Sequence, residues 1–157
     1  MKHIVFYSGG IGSWMTANRV IERYGKKDVI LLFTDTLIED EDLYRFIDET
    51  VLNMGVEFVR IEDGRTPWEV FKDVRWLGNS RLAQCSQHLK QKTADKWIKS
   101  HFKPDECTLY LGIDWTEEQR KEKPIKNWAP YRVEYSYDRK TLYVQGRYAG
   151  GVKEERH

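Results

Sequence analysis

The sequence predicts an α/β protein: a doubly wound, mostly parallel sheet with helices on both faces. Three observations carry that expectation. A short apolar run, Ile4 to Tyr7, breaks into Ser8-Gly9-Gly10-Ile11-Gly12-Ser13 and passes directly into a helical pattern. Asp28 to Asp35 is an apolar run closed by polar residues, as a strand buried on both faces reads. Strand-like and helix-like stretches then alternate from residue 3 to about residue 113, which suits right-handed crossovers in one sheet.

After the glycine-rich turn, Ala17, Val20, Ile21 and Tyr24 recur at helical spacing, and Gly25 supplies a stop. Residues 39–54 carry Leu43, Ile47, Val51 and Met54 on one face, with acids in the first turn and Gly55 at the end. Val56 to Ile61 alternates as a third strand. Thr66-Pro67 opens a further helix, with Thr as cap and Pro in the first turn. Gly78-Asn79 breaks it. Ser86 to Phe102 reads as a long basic helix and Cys107 to Ile113 as another strand. Beyond that, Trp115 to Glu122 reads as a short helix. Pro130 to Tyr135 and Thr141 to Gln145 read as strands, with a hairpin around Tyr137–Lys140. Gly146 to His157 has no periodicity and reads as a loose tail. The boundary falls after residue 136: a domain over 1–136 and a small irregular extension over 137–157.

Composition narrows the function classes. The chain has 157 residues, enough for one domain with a real core. A net charge of +1 gives no global basic field for nucleic acid. No apolar run approaches the roughly 20 residues that span a bilayer, and Met1-Lys2-His3-Ile4 enters a strand without a signal-peptide pattern. Two cysteines, Cys85 and Cys107, make no disulfide framework. The expectation is a cytoplasmic protein with no membrane partner.

The glycine-rich turn is the richest stretch. A strand, a tight turn and a helix N-terminus in succession present unpaired N–H groups and a positive dipole end, which suits phosphate or sulfate. Ser8 and Ser13 add hydroxyls for the same oxygens. The dinucleotide fingerprint does not fit, because from Gly10 and Gly12 its third glycine falls on Met15. The Gly-x-x-x-x-Gly-Lys loop does not fit either, since from Gly9 the second glycine falls on Trp14. Ser-Gly-Gly-x-x-Ser remains, beside the plain reading of a structural turn. Thr34-Asp35 and Gly112-Asp114 also close strands, and ligands of such sheets sit at strand carboxyl ends. Three clusters thus point to one pocket.

The loop resembles the PP-loop of the adenine nucleotide α-hydrolase-like superfamily. Further stretches resemble its phosphoadenosine phosphosulfate (PAPS) reductase branch. These are Phe33-Thr34-Asp35-Thr36, then Cys85 to Lys92 followed by Asp95-Lys96-Trp97, then Leu111 to Arg120 with its Gly-Ile-x-x-x-Glu-x-x-Arg spacing, and Pro130 to Tyr135. The resemblance covers residues 3 to about 136 in order. It implies that Ser8, Gly9, Gly10, Ile11, Gly12 and Ser13 hold the phosphates of ATP or a sulfonucleotide. Thr34, Asp35 and Gly112 would complete the nucleotide site, with Asp35 on a ribose hydroxyl or Mg²⁺. Lys90 and Arg120 are implied as catalytic cations. Arg120 is favoured because its planar fork matches phosphate bidentately. The implied activity is ATP pyrophosphatase chemistry that adenylates an unknown acceptor, or PAPS reductase-like chemistry.

Departures from the branch are informative. Residues 137–157 contain no cysteine, whereas sulfonucleotide reduction through a covalent thiosulfonate needs a thiolate there. Iron–sulfur members need four cysteines, so no cluster is expected. Cys85 is the candidate redox thiol, beside the plainer reading of a partly buried thiol at a helix start. Ile11 and Gly12 stand where pyrophosphatases often carry Lys and Asp. The alternative is therefore a nucleotide-binding or sensing module, or a subunit whose partner (a homodimer mate or another protein) completes catalysis.

Arg81, Lys90 and Lys92 are placed at or near the start of the basic helix, within reach of phosphate, while Lys96 and Lys99 read as a solvated face. Glu117 can pair with Arg120 or Lys121 at helical spacing. Cys85, His88, His101 and Cys107 faintly resemble a zinc set, but Cys107 opens a buried strand, so no metal site is read there. Of the tryptophans, most read as core or interface anchors, and Trp115 and Trp128 as a candidate partner surface.

Overall fold

The computed structural model of the chain describes residues 1–66, 68–69, 72, 81–112 and 122–135, with 81–89 described as backbone. The element order is β1 (Lys2–Phe6), α1 (Ile11–Tyr24), β2 (Val29–Asp35), α2 (Glu41–Met54), β3 (Glu57–Glu62), α3 (Arg81–His101), β4 (Cys107–Tyr110), α4 (Glu122–Trp128) and β5 (Arg132–Glu134). Among the described residues the five strands are all parallel, in the order β3-β2-β1-β4-β5. The predicted α/β class and the parallel sheet are both present.

Two apolar layers follow from strand alternation. Val5, Tyr7, Leu31 and Phe33 face α1 and α2, where they pack on Ala17, Val20, Ile47 and Met54. Ile4, Ile30, Leu32 and Leu109 face the other way, onto Ala94 and Ile98 of α3. β2 is buried along its whole length, as its unbroken apolar run requires. Each early helix ends at the glycine expected of it, and Gly55 takes the left-handed conformation (φ 61°). Asp40 caps α2 by accepting from the Asp42 N–H at 2.9 Å. Thr66 Oγ1 accepts from the Glu69 N–H at 3.3 Å and Glu69 returns a carboxylate to the Thr66 N–H at 2.7 Å, a reciprocal capping box ahead of helical Trp68 and Glu69.

Three expectations need correction. The basic helix starts at Arg81 rather than Ser86, because no Gly or Pro lies between 81 and 101 to stop it. Cys85 is therefore inside the helix, and Lys90 and Lys92 lie well into it. A helix not anticipated, α4, occupies residues 122–128. Its Pro124 sits in the first turn, where a missing N–H costs no internal bond. Trp128 is not a partner surface: it is 6% exposed and packs on Phe6 with ring centroids 5.4 Å apart. The expected helix at 115–122 lies outside the described residues except for Glu122, which opens α4. The hairpin around 137–140, the strand at 141–145 and the tail lie wholly outside them.

Candidate functional site

Strands β1, β2 and β3 are linked through α1 and α2 on one face. After β3 the chain crosses to the far side of β1 and returns as β4, with α3 on the opposite face. The strand order therefore reverses between β1 and β4. In an open parallel sheet that reversal opens a crevice at the strand carboxyl ends. The turn Ser8–Ser13 and Gly112 flank this crevice.

The turn is built on backbone that only glycine tolerates at two places. Gly9 has φ 81°, and a Cβ there would stand 3.0 Å from Leu43 Cγ and 3.1 Å from Ile47. Gly112 lies so close to the start of α1 that a Cβ would meet Gly12 C at 2.7 Å, Gly12 O at 2.8 Å and Ser13 N at 2.8 Å. The two backbones are in direct contact across the crevice. Gly112 thus has a packing reason to be glycine, whatever it does toward a ligand.

α1 opens at Gly10 without a side-chain cap and with no acid in its first turn. That leaves the positive end of the helix uncompensated by its own N-cap and first-turn side chains. Ser13 is buried and braces the turn: its Oγ donates to Gly10 O at 2.9 Å and accepts from the Ser8 N–H and Ser8 Oγ, each at 3.2 Å. Thr16 Oγ1 donates to Gly12 O at 2.8 Å. Ser8 and Ile11 are exposed at the mouth, Ile11 at 73%.

Thr34 and Asp35 end β2 at the same edge, and both are buried. Burial alone would raise the Asp35 carboxyl. Hydrogen bonds from Tyr44 and the Leu37 N–H, with the Arg60 guanidinium, outweigh it and hold the group below its ordinary value. Oδ1 accepts from the Tyr44 hydroxyl at 2.6 Å and from the Leu37 N–H at 2.8 Å, and Oδ2 pairs with Arg60. The Arg60 guanidinium also lies 5.5 Å from the Tyr44 ring centre. This arrangement does not fit Mg²⁺: both carboxylate oxygens are committed and the side chain is wholly covered. Its visible work is to hold Leu37, a non-glycine residue at φ 68°, in the left-handed turn that leads to α2.

Lys90 lies on the stripe of α3 that includes buried Ala94 and Ile98, displaced toward the strand carboxyl ends. Its Nζ pairs with Glu39 Oε1 at 3.1 Å, and Thr36 Oγ1 donates to the same oxygen at 3.0 Å. The structure thus brings Ser8–Ser13 and Gly112 together and places Thr34, Asp35 and Lys90 on the same edge. Lys92 is exposed on another side of α3. Arg120 and the Cys85 side chain lie outside the described residues. Glu39, Tyr44 and Arg60 were not foreseen. Only an aspartate two residues ahead of a turn hinted at this network.

No family model matches the chain. An uncharacterized protein of Methanocaldococcus jannaschii, MJ0066, is 26% identical over 117 residues, covering 70% of this chain and 22% of that protein. Among solved structures, the NH3-dependent NAD synthetase of Campylobacter jejuni, in complex with the nitrate ion, matches with a TM-score of 0.60 at 15% identity. The match covers 74% of this chain and 49% of the synthetase. That likeness shows the fold. It is a parallel α/β fold like that of the synthetase. The chain spans well under two thirds of either protein's length. Among the described residues, no helix is long and apolar enough to cross a membrane.

Proposed function

We propose that the chain binds an adenine nucleotide in the crevice between β1 and β4, with its phosphates on the N-terminus of α1. The carrying observation is the coincidence of three features at one place: the strand-order reversal, the Ser-Gly-Gly-x-x-Ser turn, and an uncapped helix start free of acids. ATP is the ligand favoured by the fold, and a PAPS-like sulfonucleotide the narrower choice carried by sequence resemblance. The reaction that fits is attack by an acceptor oxygen on the α-phosphorus, breaking the α–β anhydride and releasing pyrophosphate. Turn N–H groups, Lys90 and Arg120 would stabilise the charge on the departing group.

A second reading is binding without turnover, or catalysis completed by a partner. The closed Asp35 network favours it, since the expected metal-facing carboxylate is spent on structure.

The test is calorimetric titration with ATP and with PAPS, followed by an assay for released pyrophosphate or sulfite. Ile11→Glu is the informative variant, because Ile11 is exposed at the mouth and an acid there suits a helix N-terminus. It should preserve the fold yet weaken ATP about tenfold or more through like-charge repulsion. Unchanged affinity in Ile11→Glu would move the nucleotide away from this turn.

A further inference from the structure

We infer that Glu39 is a positioning residue that holds Lys90 in reserve, so that the lysine exchanges its carboxylate partner for a ligand phosphate. This rests on the nucleotide reading above and adds the regulation of that site.

The geometry is that of a shared acceptor. Glu39 lies in the short connection between β2 and α2, at the strand edge that also holds Ser8–Ser13. Its Oε1 takes both the Lys90 ammonium (3.1 Å) and the Thr36 hydroxyl (3.0 Å). Thr36 is 1% exposed and anchors the carboxylate from the protein side. The Lys90 side chain is 38% exposed, against 19% for Glu39, so it is the lysine that is free to leave. Its flexible four-carbon stem suits a cation with two partners. A half-exposed pair of this kind is a weak bond, which a multiply charged phosphate chain can outcompete.

Two consequences follow. In the free chain the Glu39 carboxylate occupies and neutralises the Lys90 ammonium, so the lysine offers no net attraction to a phosphate until the pair opens. Only a ligand whose phosphates reach Lys90 gains from breaking the pair, so a nucleoside without phosphate is indifferent to it.

The experiment measures ATP and adenosine affinities by calorimetry for the full chain, Glu39→Gln, Lys90→Met and the double variant, at low and moderate salt. Folding of each is checked by thermal melting. Glu39→Gln should bind ATP about three- to fivefold tighter at low salt, the scale set by freeing a half-exposed pair. The gain should shrink as salt rises. Adenosine affinity should not change, and the gain should vanish in the Lys90→Met background. A merely structural Glu39 gives the opposite sign: Glu39→Gln would then bind ATP no better or more weakly. That result, or an equal gain without Lys90, overturns the inference while leaving the nucleotide site standing. Absence of ATP binding in every variant overturns the nucleotide reading and this inference with it.

Discussion

Replacing Gly112 with alanine tests whether the crevice is built by backbone contact between the segment just after β4 and the start of α1. The new methyl would stand 2.7–2.8 Å from Gly12 C, Gly12 O and Ser13 N, against the ~3.5–4.0 Å of ordinary carbon contacts. All three neighbours are main-chain atoms, so no side chain can swing aside. The start of α1 must retreat by most of an ångström, or β4 must bend. Overpacking of this kind costs about 1–3 kcal/mol. For a domain of this size that is a fall of roughly 1 M in the urea midpoint, with the fold retained. The same displacement moves the first-turn N–H groups, so ATP binding should fall with stability.

Gly10→Ala is the matched control. Gly10 has φ −86°, and its Cβ would find only Ser8 Oγ at 3.6 Å, so stability should stay within about 0.5 kcal/mol of the parent. Gly12→Ala, whose Cβ would meet Gly112 O at 3.1 Å, should fall between the two. Urea melts and ATP calorimetry on the three variants read the series. A Gly112→Ala chain that melts and binds like the parent, or a Gly10→Ala chain equally damaged, would refute the account of the crevice.

The Asp35 carboxyl is held below its ordinary value, so its stabilisation is present above about pH 3.9 and is lost as pH falls through the lower folded pKa. Asp35→Asn should remove that part of the acid-melting slope. Asp35→Ala, by orphaning the Tyr44 hydroxyl and the Leu37 N–H, should cost about 2–3 kcal/mol by urea melting. His3 is shifted down by burial first and by the N-terminal ammonium second. It stacks on Tyr24 at 3.8 Å and shares a 2.9 Å hydrogen bond with Tyr110. The unfolded chain therefore takes a proton that the native chain refuses as pH drops below about 6.5, and stability declines there. A His3→Asn chain should lack that slope, and an unchanged slope would remove His3 from the account. Burial, with Glu106 beside it, pushes the Cys107 thiol up to about 11. In a Cys85→Ser chain the remaining thiol should label with maleimide at pH 8 only as fast as the protein opens. Prompt labelling of native protein would contradict its burial.

Much of the fold was legible because each early element carries its own punctuation. Ala17 and Val20, then Ile47 and Met54, mark the stripes that cover one sheet face, and Gly25 and Gly55 end their helices. The turn Ser8–Ser13 was legible for the same reason, since its geometry is local. What was not legible crosses elements. Asp35, Tyr44 and Arg60 come from β2, α2 and β3, and meet only because Phe33 pairs with Arg60 in the parallel register. The surroundings of Lys90 depend on α3 lying against β2, which a crossover from β3 to β4 decides and no periodicity shows. The burial of Trp128 follows from a helix too short to show a pattern, docked by one ring.

The two polar networks beside β2 differ in a way that bears on function. The Asp35 network is closed: its carboxylate is covered, every oxygen is engaged, and it fixes a left-handed residue at the strand end. Breaking it removes partners from buried groups and costs folding energy. The Glu39–Lys90 pair is open, half-exposed on its cationic side, and can exchange with water or a ligand at little cost. One network therefore belongs to the frame, and the other is the one that the proposed nucleotide site would draw on. Mutations divide accordingly: at Asp35 they should register first in stability, and at Lys90 first in anion affinity. If nucleotide affinity followed Asp35 at unchanged stability, the frame and the site would be the same object, and the Asp35 carboxylate would have to face the ligand after all.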